Sequence, residues 1–279
     1  MKLKILPPSV LGLVKRNRHL YRVARRVRGL VGRALSPWRL DGVPGRVHLN
    51  DFMLDSVDRQ GAERYLASAR TVMSALERAL DRAGRAFDSG TWLDYGCGYG
   101  RVVRLLVQRM PSDRIWVTDI NREGVEFCAS EFGVHRLFPP GDLRVTGQHR
   151  FDFIFAISVL THLGEKDCRG VLEDLGNALA PGGVLLFTTH GSRALAEVES
   201  YGPPYAERRD AIAAAVARTG IAYEPYAHYP DAALGMTWHT VEWVRDAVRR
   251  AHEGRLVEIL FEAGTLYRQD VFAYQRRVE

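Results

Sequence analysis

Residues Leu93 to Arg101 read LDYGCGYGR, with glycines at 96, 98 and 100. They follow the apolar pair Trp92-Leu93 and precede VVRLLVQRM, Val102 to Met110. This junction predicts a strand, a turn and then a helix. Glycines at such a turn take backbone angles barred to other residues and let a ligand approach the main chain. The helix that follows points its first amides into the same crevice. The spacing is G-x-G-x-G, whereas a dinucleotide-binding turn would put its third glycine where Arg101 stands. Asp94, just before the first glycine, would repel a pyrophosphate and attract an ammonium or sulfonium. Ile115 to Thr118 predicts a second strand. Asp119 closes it, at the position where an acid in such folds hydrogen-bonds ribose hydroxyls. A glycine turn with these two acids points to a nucleoside that carries positive charge in place of phosphate.

Three further blocks follow in order: TDIN, Thr118 to Asn121, with EFC at Glu126 to Cys128; FDFIFAISVLTHL, Phe151 to Leu163; and LAPGGVLLFTTHG, Leu179 to Gly191. With LDYGCGYGR they resemble the class I S-adenosylmethionine-dependent methyltransferases over roughly Trp92 to Gly191. SVLTHL, LFTTHG and the late QDV, Gln269 to Val271, are similar to bacterial methyltransferases associated with glycan and cell-surface polysaccharide biosynthesis. The resemblance implies a Rossmann-like α/β fold with a mostly parallel seven-stranded sheet whose last strand is antiparallel. It implies S-adenosyl-L-methionine as cofactor. Asp94, Tyr95, Gly96, Gly98 and Gly100 would line the methionine end, Asp119 would take the ribose, Ile120 would lie against adenine, and Ser158 would face the sulfonium. Many relatives hold the adenine amino group with an acid before the fourth strand. Asp142 in PPGDL is the only candidate here and matches poorly, so Leu137 to Pro140 is expected to form an apolar wall instead.

The charge is uneven. Eleven of the 39 lysines and arginines, and none of the 33 acids, precede Asp41, so an acidic body carries a basic arm. Leu13, Leu20, Val23, Ala24, Val27, Leu30, Val31 and Ala34 recur at helical spacing, with most of the basic residues around the other side. This basic amphipathic helix would meet an anionic membrane surface or glycolipid, bind a negatively charged substrate, pack on its own domain with its charges in solvent, or serve in targeting. No aromatic-interleaved basic groove accompanies it, which argues against nucleic acid. Cys97, Cys128 and Cys168 are odd in number and lack ligand spacing, so neither a disulfide framework nor a metal site is expected. The expected location is the cytoplasm, with the arm able to hold the protein at the inner face of a membrane.

Helical spacing continues over Ala62 to Ala86, where Leu66, Ala69, Val72, Met73, Leu76 and Leu80 form an apolar stripe. Strands at Thr91 to Tyr95, Ile115 to Asp119, Phe151 to Ser158 and Val184 to Thr188 alternate with helices at Val102 to Met110, Glu123 to Glu131 and Lys166 to Leu179. Such alternation predicts a parallel sheet with right-handed crossovers. After Gly191 come a proline-rich stretch, an alanine-rich helix near Arg208 to Arg218, and a loop holding Tyr223, Tyr226, His228 and Tyr229, read together as an inserted lid. A helix over Val241 to Ala251 and strands at Leu256 to Phe261 and Asp270 to Tyr274, joined through Glu262-Ala-Gly264, would complete the sheet. The expected units are the basic arm 1–45, a helical extension 46–90, the cofactor core 91–191, the lid and acceptor-binding insertion 192–236, and the closing helix and strands 237–279.

Methyl transfer from a sulfonium is an in-line displacement. The protein must align acceptor, methyl and sulfur and, for a hydroxyl acceptor, remove a proton. Neutral histidine suits that task near pH 7. His162 follows the fourth strand, His190 the fifth, and His239 the lid, so all three fall at the carboxyl edge where ligands bind; by location, His239 is the best acceptor-side candidate. Tyr201, Tyr205, Tyr223, Tyr226 and Tyr229 would stack on sugar or aromatic rings or pack the loop, and Asp231 is a further candidate base. The expected reaction is O-methylation of a sugar, glycan or glycolipid precursor. The alternatives are O- or N-methylation of a small natural product, or an inactive nucleoside-binding scaffold.

Overall fold

The computed structural model describes residues 40, 42–48, 50, 51, 53, 54, 59–138, 151–226 and 234–278. Residues 1–39 of the basic arm, Pro139 and Pro140 of the expected apolar wall, Asp142, His228, Tyr229 and Asp231 lie outside them.

A seven-stranded sheet organises the chain. Its strands are β1 (Trp92–Tyr95), β2 (Ile115–Thr118), β3 (His135–Arg136), β4 (Phe151–Ala156), β5 (Leu179–Thr189), β8 (Leu256–Leu266) and β9 (Gln269–Arg276), in the order β3-β2-β1-β4-β5-β9-β8. The first five run parallel, and β9 is antiparallel to both neighbours. Two layers of helix cover it, because side chains alternate across each strand. Phe153, Phe155, Val184, Leu186, Val271 and Ala273 face one core cluster, and Ile154, Ala156, Leu185, Phe187, Phe272 and Tyr274 face the other.

The first layer holds α1 (Arg59–Ala83), α2 (Val103–Leu106) and α3 (Arg122–Phe132). The whole stripe read from the sequence, Leu66 to Leu80, is buried along α1. Helix α2 is much shorter than the expected Val102 to Met110. Around it the bonds tighten to i→i−3 pairs such as Leu105 N–H to Val102 carbonyl (2.9 Å) and Arg109 N–H to Leu106 carbonyl (2.8 Å), the usual fraying of a short helix. The second layer holds α4 (Glu165–Asn177) and α8 (Val241–His252), the latter capped by Thr240 Oγ1, which accepts from Trp243 N–H.

Pro44 and Gly45, at the expected boundary between the arm and the helical extension, are packed onto the core. Fully buried Arg104 of α2 donates to the carbonyls of Pro44 (3.3 Å) and Arg46 (3.2 Å). His48 stacks on Tyr99 of the glycine loop at 4.4 Å, and buried Asp51 accepts from the Tyr65 hydroxyl of α1 at 2.6 Å.

The insertion holds the expected alanine-rich helix, and part of its tyrosine segment is strand rather than loop. It contains α5 (Ser192–Ala196), α6 (Pro203–Ala206), α7 (Arg209–Thr219) and an antiparallel pair, β6 (Ile221–Pro225) and β7 (Gly235–His239). Tyr223 therefore lies in a strand. Ile212, Val216, Ala222, Met236 and Trp238 close a small core of their own. The β8–β9 connection differs as well: β8 runs on past Gly264 with a register shift, and the turn falls at Tyr267-Arg268. No helix among the described residues is long and apolar enough to cross a membrane.

Candidate active site

Because β1, β2, β4 and β5 are parallel, their carboxyl ends bring the glycine loop, Asp119, Ser158 and His190 to one edge. The loop is fixed by backbone bonds. The amides of Gly96 and Cys97 both donate to Thr118 carbonyl, at 2.8 and 3.1 Å, and Gly100 N–H donates to Cys97 carbonyl at 3.0 Å. The glycines all hold positive φ. A Cβ at Gly96 or Gly100 would collide with Val159 or Phe132, whereas one at Gly98 would meet nothing within 4 Å. Two glycines thus serve packing, and Gly98 is the open point where a ligand can approach the backbone.

Asp119 binds the loop from β2: one carboxylate oxygen accepts from Gly98 N–H (2.8 Å), the other from Asn121 N–H (2.7 Å). Each oxygen keeps a lone pair for a further donor. Asp94 is buried, and burial, with repulsion from Asp119, pushes its carboxyl up to about 8 against the opposing pull of Arg101. Burial also raises Asp119, offset by the two amides it accepts from. Two repelling carboxyls, Asp94 buried and Asp119 half-buried, beside an open backbone suit a cationic nucleoside, whose charge would favour their ionised forms. Ile120 follows directly and is 70% exposed, an apolar face fit to cover a base. Tyr95, the last residue of β1, is half-buried, and burial raises its phenol to about 12.

Ser158 follows β4 with φ of 60°, a strained value for a residue other than glycine. Its amide donates to Thr188 Oγ1 (2.8 Å), and its hydroxyl is hydrogen-bonded to the amide of Gln269 (2.9 Å to Nε2). Strain of this kind persists where neighbours over-determine the backbone.

The histidines meet strand β7. His162 Nδ1 lies 3.0 Å from Gly235 carbonyl and His190 Nδ1 lies 3.1 Å from Thr237 carbonyl. A carbonyl accepts only, so in each ring Nδ1 carries the proton and Nε2 the lone pair. Tyr226 Oη reaches the same His162 Nδ1 at 2.9 Å and also lies 3.2 Å from Met236 Sδ. Burial lowers the His162 imidazole below its ordinary value, partly offset by Gly235. Burial and the charge of His162 take His190 down to about 4. Both rings are neutral at pH 7.

His239 does not meet the expectation of an acceptor-side group. It is 3% exposed, its Nε2 lies 3.6 Å from Cys168 Sγ, and its Nδ1 has no partner among the described residues. Burial takes it down to about 3. Strand alternation explains the place: His239 shares the face of Thr237, whose hydroxyl donates to Leu163 carbonyl at 2.6 Å, and that face is pressed onto the core. Tyr201 and Tyr205 pack edge-on against Trp238. The residues that the sequence reading left without a role are Arg101 and Gln269, of which only the QDV string marked the second. Among the described residues no group of three or more His, Cys, Asp or Glu could hold a metal ion.

A family model described as a methyltransferase domain matches residues 64–247, well over half of the chain. The chain belongs to the methyltransferase domain family. Methyltransferase is thus the enzyme class, and S-adenosylmethionine is the cofactor that the cradle fits. A malonyl-[acyl-carrier protein] O-methyltransferase of Calditerrivibrio nitroreducens is 32% identical over 108 residues, which are 38% of this chain and 41% of that protein. The match therefore spans under half of that relative. Among solved structures, an S-adenosylmethionine-dependent methyltransferase of Clostridium acetobutylicum is similar with a TM-score of 0.51 at 11% identity, over 76% of this chain and 92% of that one. The magnesium protoporphyrin IX methyltransferase of Synechocystis, solved with bound S-adenosylhomocysteine, gives 0.51 at 13%, over 79% and 89%. At such identities these two likenesses establish the fold.

Proposed function

We infer that this methyltransferase transfers its methyl group to a hydroxyl oxygen, and that the acceptor is a sugar hydroxyl of a glycan, glycolipid or saccharide precursor. The observation that carries the reading is the Nδ1 contact of His162 with Gly235 carbonyl at 3.0 Å, which leaves a neutral Nε2 lone pair just past Ser158. S-adenosylmethionine supplies an electrophilic methyl when bound. The chain's residues do the rest. Asp94, Tyr95 and the glycine loop hold the methionine end, Asp119 the ribose and Ile120 the base. His162 takes the hydroxyl proton at Nε2, while Gly235 carbonyl keeps the resulting imidazolium oriented through Nδ1–H. His190 lies deeper and is the weaker base, so it serves to shape the pocket floor beneath Tyr201, whose ring centroid is 5.1 Å away. Half-buried Tyr201, Tyr205 and Tyr226 supply aromatic surface of the kind that packs on saccharide rings.

A carboxylate acceptor is the second reading, favoured by the named substrate of the Calditerrivibrio relative. A carboxylate is already ionised at pH 7 and needs no base. The two readings separate on one variant. Purified protein with labelled cofactor is offered envelope saccharide fractions, small phenols and acyl carboxylates. With a saccharide acceptor, His162→Gln is expected to cut turnover by about a hundredfold or more. Labelling of carboxylates alone, with His162→Gln within a few-fold of wild type, would overturn the hydroxyl reading.

A further inference from the structure

Four consecutive residues at the β8–β9 turn, Tyr267 to Asp270, reach four separate segments of the carboxyl edge. Tyr267 and Arg268 hold φ of 55° and 69°, the left-handed pair of a type I′ hairpin, a turn that Asn-Gly makes with least strain. Each of the four side chains makes a tertiary tie.

Tyr267 reaches toward the glycine loop. Its hydroxyl accepts from Arg101 Nη1 at 2.7 Å and donates to Ser68 carbonyl on α1, and Arg101 lies over its ring at 5.4 Å. The same Nη1 also donates to Ser68 Oγ at 2.7 Å. Arg101 is close enough to Asp94 and Asp51 for its charge to act on both carboxyls. Gln269, 6% exposed, holds the hydroxyl of strained Ser158. Asp270 accepts from Gly264 N–H at 2.8 Å and packs against Gly191, where a Cβ would fall 1.9 Å from Asp270 Oδ2. Arg268 points the other way, onto Glu197 Oε2 (3.0 Å) and Ser200 Oγ (2.6 Å) in the insertion, next to the Tyr201 that packs on His190.

We propose that the Tyr267–Asp270 turn is a positioning element for both substrates. Tyr267 and Gln269 fix Arg101 and Ser158 on two sides of the cofactor crevice, and Arg268 fixes the segment that carries Tyr201. The four residues act through the groups they hold. A hairpin built for its own stability is better served by Asn-Gly, and Tyr-Arg gives up that advantage for ties to three elements. Among the described residues the cofactor loop and the insertion share no strand pairing, and this turn is a direct mechanical link between them. The proposal goes beyond the acceptor reading and does not depend on it.

The test uses the full chain and S-adenosylhomocysteine as probe. Titration calorimetry gives its affinity, thermal melting gives stability, and amide exchange of residues 197–201 is followed with and without the probe. The decisive variant replaces Tyr267-Arg268 by Asn-Gly, which improves the turn while removing its ties. The expected result is an unchanged or higher Tm together with affinity about tenfold weaker, the scale of a lost charge-assisted hydrogen bond. Tyr267→Phe, which deletes one hydroxyl, and Gln269→Leu should each weaken affinity about fivefold. Probe binding should slow exchange at 197–201 in wild type, and Arg268→Ala should abolish that effect while Arg268→Lys retains part of it. Wild-type affinity in the Asn-Gly variant overturns the cofactor half of the proposal, and undiminished protection in Arg268→Ala overturns the insertion half.

Discussion

The glycine-loop edge and the insertion lie at the same end of one sheet and are built by opposite means. The loop itself offers main-chain amides: Gly96 and Cys97 donate to Thr118 carbonyl, and Gly98 to the Asp119 carboxylate. In the insertion side chains add to main-chain bonds such as His239 N–H to His190 carbonyl (2.8 Å). A core of Trp238, Met236, Ile212 and Val216 closes on itself, and β7 is stitched to the body by His162, His190 and Thr237. A site for an invariant cofactor can be made from backbone geometry, which constrains residue type tightly. A site for a particular acceptor is shaped by side chains, which many sequences can supply.

The strongest way to break this contrast is Trp238→Ala. Deleting a fully buried indole should cost about 3–5 kcal/mol, and if the two regions are built separately the loss falls on the insertion. Denaturation should then show an early transition while S-adenosylhomocysteine still binds; a single transition that abolishes binding would mean that the loop depends on the insertion. The next largest effect is expected at Asp119. Asp119→Ala removes the acceptor for Gly98 and Asn121 amides together with the group proposed to hold the ribose, so cofactor affinity should fall roughly a hundredfold, as for two hydrogen bonds to a charged group. Unchanged affinity in calorimetry would sink the ribose assignment.

The third test sharpens the insertion's side of the contrast through pH. His190 is held down to about 4, below its ordinary 6.5. The unfolded chain therefore takes up a proton that the folded chain refuses, and the contribution to stability is full above pH 6.5 and is lost as pH falls toward 4. Between pH 7.5 and 5 this amounts to about 2 kcal/mol. Asp94, held up to about 8, pulls in the other direction over the same window, so the histidine's share is read as a difference. In urea melts His190→Gln should lose about 2 kcal/mol less than wild type over that interval. Equal losses would show that the ring is not held neutral by its burial.

Legibility follows the same divide. All strands of the core but the two-residue edge strand β3, the α1 stripe and the order of the cofactor blocks could be read in the chain, because period-two and helical spacing record which face is buried. Helix α2 was overestimated, since VVRLLVQRM has helical composition but is tightened by the loop it follows. Tyr223 was assigned to a loop because the partner that makes its segment a strand, Gly235 to His239, comes only after a further stretch of chain. His239 was placed at the acceptor for its position after the lid, and nothing local records that β7 turns that face inward.

By itself the sequence determined the parallel sheet, the glycine turn and the two acids that suit a cationic nucleoside, because backbone angles, strand alternation and charge sign act within a few residues. Tertiary structure alone decided that His162 and His190 set their Nδ1 atoms against carbonyls of β7, that residues around Pro44 pack on the loop through buried Arg104, and that Tyr267 to Asp270 tie several segments of the edge. Those outcomes hang on hydrogen bonds between groups distant along the chain, as when Tyr267 meets Arg101, and such pairings exist only once the sheet has brought them to the same end.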